Sequence, residues 1–451
     1  MQSDTSKRTT TPVSSRVLLA ALILFGCRAA LSLAVVPPWQ QPDEPGHVAF
    51  VEILRHQNES DPAREAEILQ SMAEYDWWIH YGQPGPVRLP ERFGDRGGIA
   101  STTLGGSPTL ESHPQAYYRA IGGMLSLMPP TGVVVELYLM RALAVLFGAL
   151  TIWIAWRGTR IVLGEFGGST IALLLATHPQ FVVVSTTASP DALVNLFGAV
   201  LWWQTTRAVQ RSRAWLPLAA VWMAAIAGAS FDRMGVPLLV TALATSLIVV
   251  MLNRGAGKTP LIVFATLLLG LCGWAIQVVW RTSQGAVGTH VSTSDDLWFL
   301  VPAGNAVTWE FLVRFSSGLI ESWWFSLGWV RYLPPVWWVT IAVVLSAIGF
   351  AGVARRLREK PAGVRSVVML ALLALGIQIA AVYWTYFRIG HGAQGRHLFP
   401  CIVPTLLLLW MGIESWVPVP YRRHASLVAA GVFALLDLAA WTLVAVPAYL
   451  G

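Results

Sequence analysis

A chain of 451 residues that is 55% hydrophobic and 12% charged, with a mean hydropathy of +0.56, carries about half the charge of a water-soluble domain, so water is not its main solvent. Its net charge of +7 comes from Lys and Arg dispersed in short clusters between apolar runs, with no long basic stripe, which argues against nucleic acid as a partner. The cysteines Cys27, Cys272 and Cys401 each sit inside an apolar run without CxxC or metal-type spacing and read as packing residues.

In chain order, the Ser/Thr-rich residues 1–15 read as a disordered cytoplasmic tail and 16–451 as a single transmembrane domain. Runs long enough to cross about 30 Å of hydrocarbon lie at Val17–Val36, Val133–Trp156, Ser169–Thr186, Ala192–Thr206, Trp215–Phe231, Val236–Leu252, Leu261–Trp280, Val336–Ala354, Val367–Phe387, Leu398–Trp416 and Ala425–Val446. The expected fold is therefore all-α and polytopic, with about eleven transmembrane helices. With the N-terminus cytoplasmic, every inner connection holds basic residues, among them Arg157 and Arg160, Arg211 and Arg213, and Arg355 to Lys360. The length of the first run suits a span better than a signal-peptide core.

Two outer segments are long, 37–132 and 282–335, and loops of this size usually carry function. The first is expected to form interfacial helices, with Tyr117–Met128 a juxtamembrane or re-entrant one. Among the 22 Trp, Trp323, Trp324, Trp337 and Trp338 cluster near segment ends and suggest rings seated at headgroup level. The stretch Glu321 to Trp329 presents an aromatic surface that suits a lipid tail or sugar face, or packs on neighbouring helices.

Chemistry concentrates at the outer turns. After the first span, Pro37, Pro38, Trp39, Gln40, Gln41, Pro42, Asp43, Glu44, Pro45, Gly46, His47 place two carboxylates and an imidazole in a small volume. The plainer reading is that Asp43 or Glu44 caps the following helix. His113-Pro114 with Tyr117 and Tyr118 stands where the same loop returns to the membrane, and His178-Pro179 leads to Asp191 at the head of the next span. An acid there is a functional candidate or an N-cap. Asp232 and Arg233 read as a local ion pair. The turn Arg388, His391, Gln394, Gly395, Arg396, His397 carries arginines against the positive-inside trend, and they require an anion: a lipid phosphate, or an internal carboxylate such as Asp43.

Taken in order, Asp43-Glu44-Pro45-Gly46-His47, His113-Pro114, Arg141, His178-Pro179, Asp191, Trp324 to Gly328 and Gln394-Gly395-Arg396-His397-Leu398-Phe399-Pro400 resemble a bacterial family of predicted membrane proteins, domain of unknown function 2142. That family in turn is similar to the GT-C superfamily of membrane glycosyltransferases. The sequence departs from the family in His397, where a tyrosine is frequent, and in lacking a lysine near Asp232. The resemblance implies a GT-C-like fold in the bacterial cytoplasmic membrane, an active site facing the periplasm or exterior, and a role in cell-envelope polysaccharide biosynthesis. It further implies a polyprenyl-phosphate sugar as donor, a glycan, lipid or protein acceptor, and, in some branches, a divalent cation (Mg or Mn).

On this basis Asp43 is the expected general base, with Glu44 as the alternative. Arg396 is expected on the donor phosphate, supported by His391 or Arg388. His47, His113, Tyr117, Asp191 and Gln394 are expected to bind substrate, and Asp43, Glu44 and His47 to hold any metal. Single displacement predicts inversion. The rival is a transporter or flippase, which tends to show repeated halves and polar groups near the midplane; here the acids favour one face. A non-catalytic assembly factor is a third reading.

Overall fold

The computed structural model describes residues 12–56, 61–77, 114–210, 214–252, 309–328, 332–359, 362–389 and 394–450. The expected span Leu261–Trp280, most of the segment 282–335, and Cys272, His113 and His391 lie outside the described residues.

The described residues are helical, and the only strand-like pairing among them is an isolated antiparallel bridge between Leu327 and Tyr332. Helix α1 is Pro12–Val35, so four residues of the expected tail are already helical. Three shorter helices follow: α2 (Glu44–Arg55), α3 (Pro62–Glu74) and α4 (Ala116–Ser126). The bundle continues with α5 (Val133–Thr177), α6 (Pro179–Val184), α7 (Asp191–Gln210), α8 (Trp215–Phe231), a 3-10 turn (Arg233–Gly235) and α9 (Val236–Leu252). Then come α10 (Trp309–Trp324), α11 (Val336–Glu359), α12 (Ala362–Ile389), a 3-10 segment (Gly395–Cys401), α13 (Ile402–Ser415) and α14 (Arg422–Ala440). A π turn (Trp441–Ala445) leads into α15 (Val446–Leu450).

Seven of the described helical stretches are long and apolar enough to cross a membrane. The protein is an all-α, multi-pass membrane protein. Helix α5 accounts for two of the expected spans, because Gly164 adopts φ 79°, ψ 177° in its middle. Such a φ is open to glycine at no steric cost. A Cβ on Gly168 would press against the backbone of Arg160, eight residues earlier, which a straight helix never allows. The chain therefore reverses at Gly164, and the two arms pack side by side.

The helices α2 to α4 gather where α1 ends and α5 begins. Their core is Trp39, Phe50, Ile68, Met72, Tyr117, Tyr118, Leu137 and Met140. Each helix hides one apolar face, as an amphipathic helix at a boundary must. Asp61 caps α3 through the Ala63 N–H at 3.0 Å, with Pro62 at its first position. Arg55 and Arg64 both reach Glu136 on α5, and Glu67 accepts the Val133 N–H at 2.8 Å. The loop is thereby fastened to the head of the bundle.

The tryptophan expectation needs correction. Trp338 is wholly buried, Trp323 and Trp324 nearly so, and only Trp337 of the four is exposed. Trp324 stacks parallel to the His178 ring, and Trp323 and Phe399 meet that ring edge-on. Three of the four rings therefore pack between helices rather than standing exposed on the bundle surface. Of the two readings for the stretch from Glu321, packing between helices is the one observed.

Candidate functional site

The site forms where five pieces of chain meet: the 36–43 loop, the head of α2, α4, the turn ahead of α7, and the 3-10 segment Gly395–Cys401. The loop owes its shape to prolines and to α3. The Trp39 indole N–H donates to Ser71 Oγ at 2.9 Å, and Gln40 Nε2 donates to the carbonyls of Tyr75 and Asp76. Trp39 (φ 69°) and Asp43 (φ 65°) both lie in the left-handed region. For residues other than glycine this costs of order 1–3 kcal/mol, less for Asp than for Trp.

Asp43 stands at the N-cap position of α2, yet its side chain makes no capping hydrogen bond. The carboxylate turns instead to Arg396, with which it forms an ion pair, and 40% of the side chain remains exposed. Capping alone therefore does not explain Asp43. Arg396 Nη1 also lies 3.4 Å from Asp191 Oδ2, so one guanidinium sits between two carboxylates from distant parts of the chain. Arg396 thus meets internal carboxylates, Asp43 and Asp191.

Arg396 is placed by its neighbours. The Gly395 N–H donates to Ser322 Oγ at 2.8 Å, and Gln378 Nε2 donates to the His397 carbonyl at 2.8 Å. A Cβ on Gly395 would collide with the backbone of Trp323, so only glycine lets the segment lie this close to α10. Gln394 caps the segment through its carbonyl, which accepts the His397 N–H at 3.0 Å.

Glu44, one residue from Asp43, has a different environment. It is wholly buried and bonded twice to Arg141, Nε to Oε1 and Nη2 to Oε2, both at 2.7 Å. Arg141 gives two further donors to the carbonyls of Val36 and Pro37. Glu44 also accepts the Ala188 N–H at 3.1 Å. Such a fully satisfied fork costs about 3–5 kcal/mol to break from one side, because it strands the partner charge.

His47 shares a 2.9 Å hydrogen bond with Tyr118 Oη through Nδ1. Tyr117 is buried with its ring edge-on to Tyr118. Asp232 accepts the Met234 N–H at 2.7 Å and so caps its own 3-10 turn, a job that the ion-pair reading did not foresee. His178 caps α6 through the Phe181 N–H and lies in the aromatic cluster rather than at the acids. His113, His391 and the side chain of Arg388 lie outside the described residues. Among the described residues no group of three His, Cys, Asp or Glu is arranged to hold a metal. The suggested set of Asp43, Glu44 and His47 fails because Glu44 is taken up by Arg141.

Proton affinities divide accordingly. Burial pushes the Asp43 pKa up, but Arg396 and then His47 outweigh it and hold the carboxyl below its ordinary value. Asp191, just ahead of its apolar run, is pushed up to about 6 by burial, with Arg396 opposing and Asp232 and Asp43 adding to the rise. Burial and the nearby acids raise both tyrosines.

Residues 133–280 match the family model described as dolichyl-phosphate-mannose-protein mannosyltransferase. This is about a third of the chain, and it includes Arg141, Asp191 and Asp232. Two solved structures are similar to the chain: ArnT from Cupriavidus metallidurans bound to undecaprenyl phosphate (15% identity, TM-score 0.45, 93% of this chain) and the same protein in the apo state (15%, 0.46, 94%). The alignment covers 64% of the ArnT chain in each case. Among curated protein sequences none matches the chain.

Sequence reasoning left Arg141 without a role of its own. The signal was present: an arginine inside an apolar run needs a buried partner. Nothing in the sequence said which carboxylate that was.

Proposed function

We propose that the protein is a GT-C-type membrane glycosyltransferase. It moves a sugar from a polyprenyl-phosphate donor to an acceptor hydroxyl, at the outer face of a bacterial cytoplasmic membrane, with Asp43 as base. The observation that carries this reading is the Arg396 guanidinium held between Asp43 and Asp191, with Asp43 partly exposed and its side chain making no cap hydrogen bond. The family model over 133–280 supports it, since its description names a polyprenyl-phosphate sugar as donor, as does the ordered resemblance of the motifs to domain of unknown function 2142.

Arg396 lies between its two acids. A donor phosphodiester entering beside it takes over the guanidinium and releases Asp43 toward the acceptor. The acceptor hydroxyl then attacks the anomeric carbon, its proton passes to Asp43, and the bond from that carbon to the phosphate oxygen breaks with its electron pair. The departing phosphate gains negative charge, which Arg396 stabilises more in the transition state than in the ground state. One displacement inverts the anomeric centre. A carboxylate base contributes about 10² to 10⁴-fold, and Asp43 fits that task better than Glu44, whose oxygens are already occupied. Asp191, His47, Tyr117 and Gln394 line the substrate's place in this reading.

The test is purified protein with a polyprenyl-phosphate hexose and membrane extract as acceptor source, following release of polyprenyl phosphate. Full turnover by Asp43→Asn would remove Asp43 from the mechanism. A product of retained anomeric configuration would remove the single displacement.

A further inference from the structure

The two acids that flank Arg396 hang from one buried pair. Glu44 is covalently next to Asp43, and the N–H it accepts from Ala188 fixes the turn three residues before Asp191. Arg141, on α5, ties the Val36 and Pro37 carbonyls at the start of the site loop. The Gln41 N–H points at Glu44 Oε2 as well, at 3.4 Å. The hydrogen bonds of the Glu44 carboxylate and of the guanidinium run to each other or to chain that carries site residues, with Tyr449 of α15 also close to the pair. A pair serving only to hold helices together would join them along their length, as Arg28 on α1 and Asp437 on α14 do.

We infer that the Glu44–Arg141 pair is the positioning element of the site: it sets where Asp43 and Asp191 stand about Arg396, and through that the reactivity of Asp43, without touching substrate. The inference rests on the reading of Asp43 as base. The left-handed backbone of Asp43 lies between held points, the Val36 and Pro37 carbonyls before it and Glu44 directly after it. Exchange of the two-pronged fork for a single contact lets the 36–44 loop relax, and Asp43 withdraws from Arg396. The groups that face Asp43 are Arg396 and His397 on the 3-10 segment, His47 on α2, Tyr118 on α4 and Asp191 on α7. Of these Arg396 exerts the strongest downward pull on its pKa. Withdrawal therefore has a signature in pH.

The experiment compares Glu44→Gln and Arg141→Lys with the wild type and with Asp43→Asn. Turnover of a polyprenyl-phosphate hexose is measured against pH, together with binding of polyprenyl phosphate and thermal unfolding. Both pair variants are expected to keep KM for the donor within about threefold while kcat falls about 10- to 100-fold, the scale of a misplacement near 1 Å. The acid limb of their kcat/KM profile is expected to move to higher pH. Wild-type kcat per folded molecule with an unmoved acid limb would overturn the inference, as would activity lost only in step with folded protein. If Glu44→Gln does not fold, Arg141→Lys, which keeps the charge and loses the fork, gives the same readings. A fully active Asp43→Asn removes Asp43 as base, the reading on which the inference rests, and is told apart because it leaves the pair intact.

Discussion

Among the described residues, arginine–aspartate pairs link distant parts of the chain at two places, around Arg28 and around Arg396, and their surroundings differ. Arg28 and Asp437 join α1 to α14 within the spans, with less than a tenth of either side chain exposed, and Arg28 also donates to the Ala176 carbonyl. Arg396 and Asp43 meet at the mouth of the bundle, where Asp43 stays 40% exposed and Asp191 competes for the same guanidinium. The first pair is matched one to one and sealed, which suits a fastening. In the second, one guanidinium is shared by two acids and Asp43 keeps an open side, which suits exchange with an incoming anion. Charge alone does not mark a site; surplus and access do.

The comparison breaks most readily at Asp43. Asp43→Asn is expected to lower transfer by about 10² to 10⁴-fold while polyprenyl phosphate still binds, measured as initial rate and as ligand-induced tryptophan fluorescence. Arg396→Gln is expected to cost about 10² to 10³-fold in kcat/KM and, unlike Asp43→Asn, to weaken binding of the phosphate as well.

The sealed pair should behave in the opposite way. Arg28→Ala leaves a buried carboxylate without its partner and is expected to destabilise the fold by about 3–5 kcal/mol, with turnover per folded molecule unchanged. Replacement of both partners, Arg28→Met with Asp437→Leu, should restore most of the stability. Loss of turnover in folded Arg28→Ala would erase the distinction between the two pairs.

The smallest effect sharpens the role of surplus charge. Asp191, with its pKa near 6, gains a proton as pH falls from 7 to 5.5 and loosens its hold on Arg396. Binding of a phosphodiester donor, whose own charge is constant in that window, should tighten a fewfold. Over the same window Asp43, held below its ordinary value, stays ionised, so the acid limb of kcat/KM should lie below the usual carboxylate range. Arg396→Gln should raise that limb.

Much of this architecture was legible beforehand. The seven described stretches long enough to cross a membrane followed from runs of apolar residues, and α2 and α4 from amphipathic stretches beside prolines. The reversal at Gly164 was expected as two spans, though not as one helix bent about a glycine. What was not legible was partnership. Asp43 and Glu44 are neighbours of almost the same chemistry, and either could have been the base or the buried strut. The tryptophans near segment ends looked like an interfacial belt, and three of the four named turned inward against His178, Phe399 and Phe433.

The sequence by itself determined the solvent of this protein, its helical character and the turns that hold its ionisable residues, because these depend on composition and on spacings within one helix. Only the tertiary structure decided which acid faces which arginine. That choice turns on a half-turn of backbone at Asp43 and on contacts between residues 353 positions apart, and no local pattern encodes either.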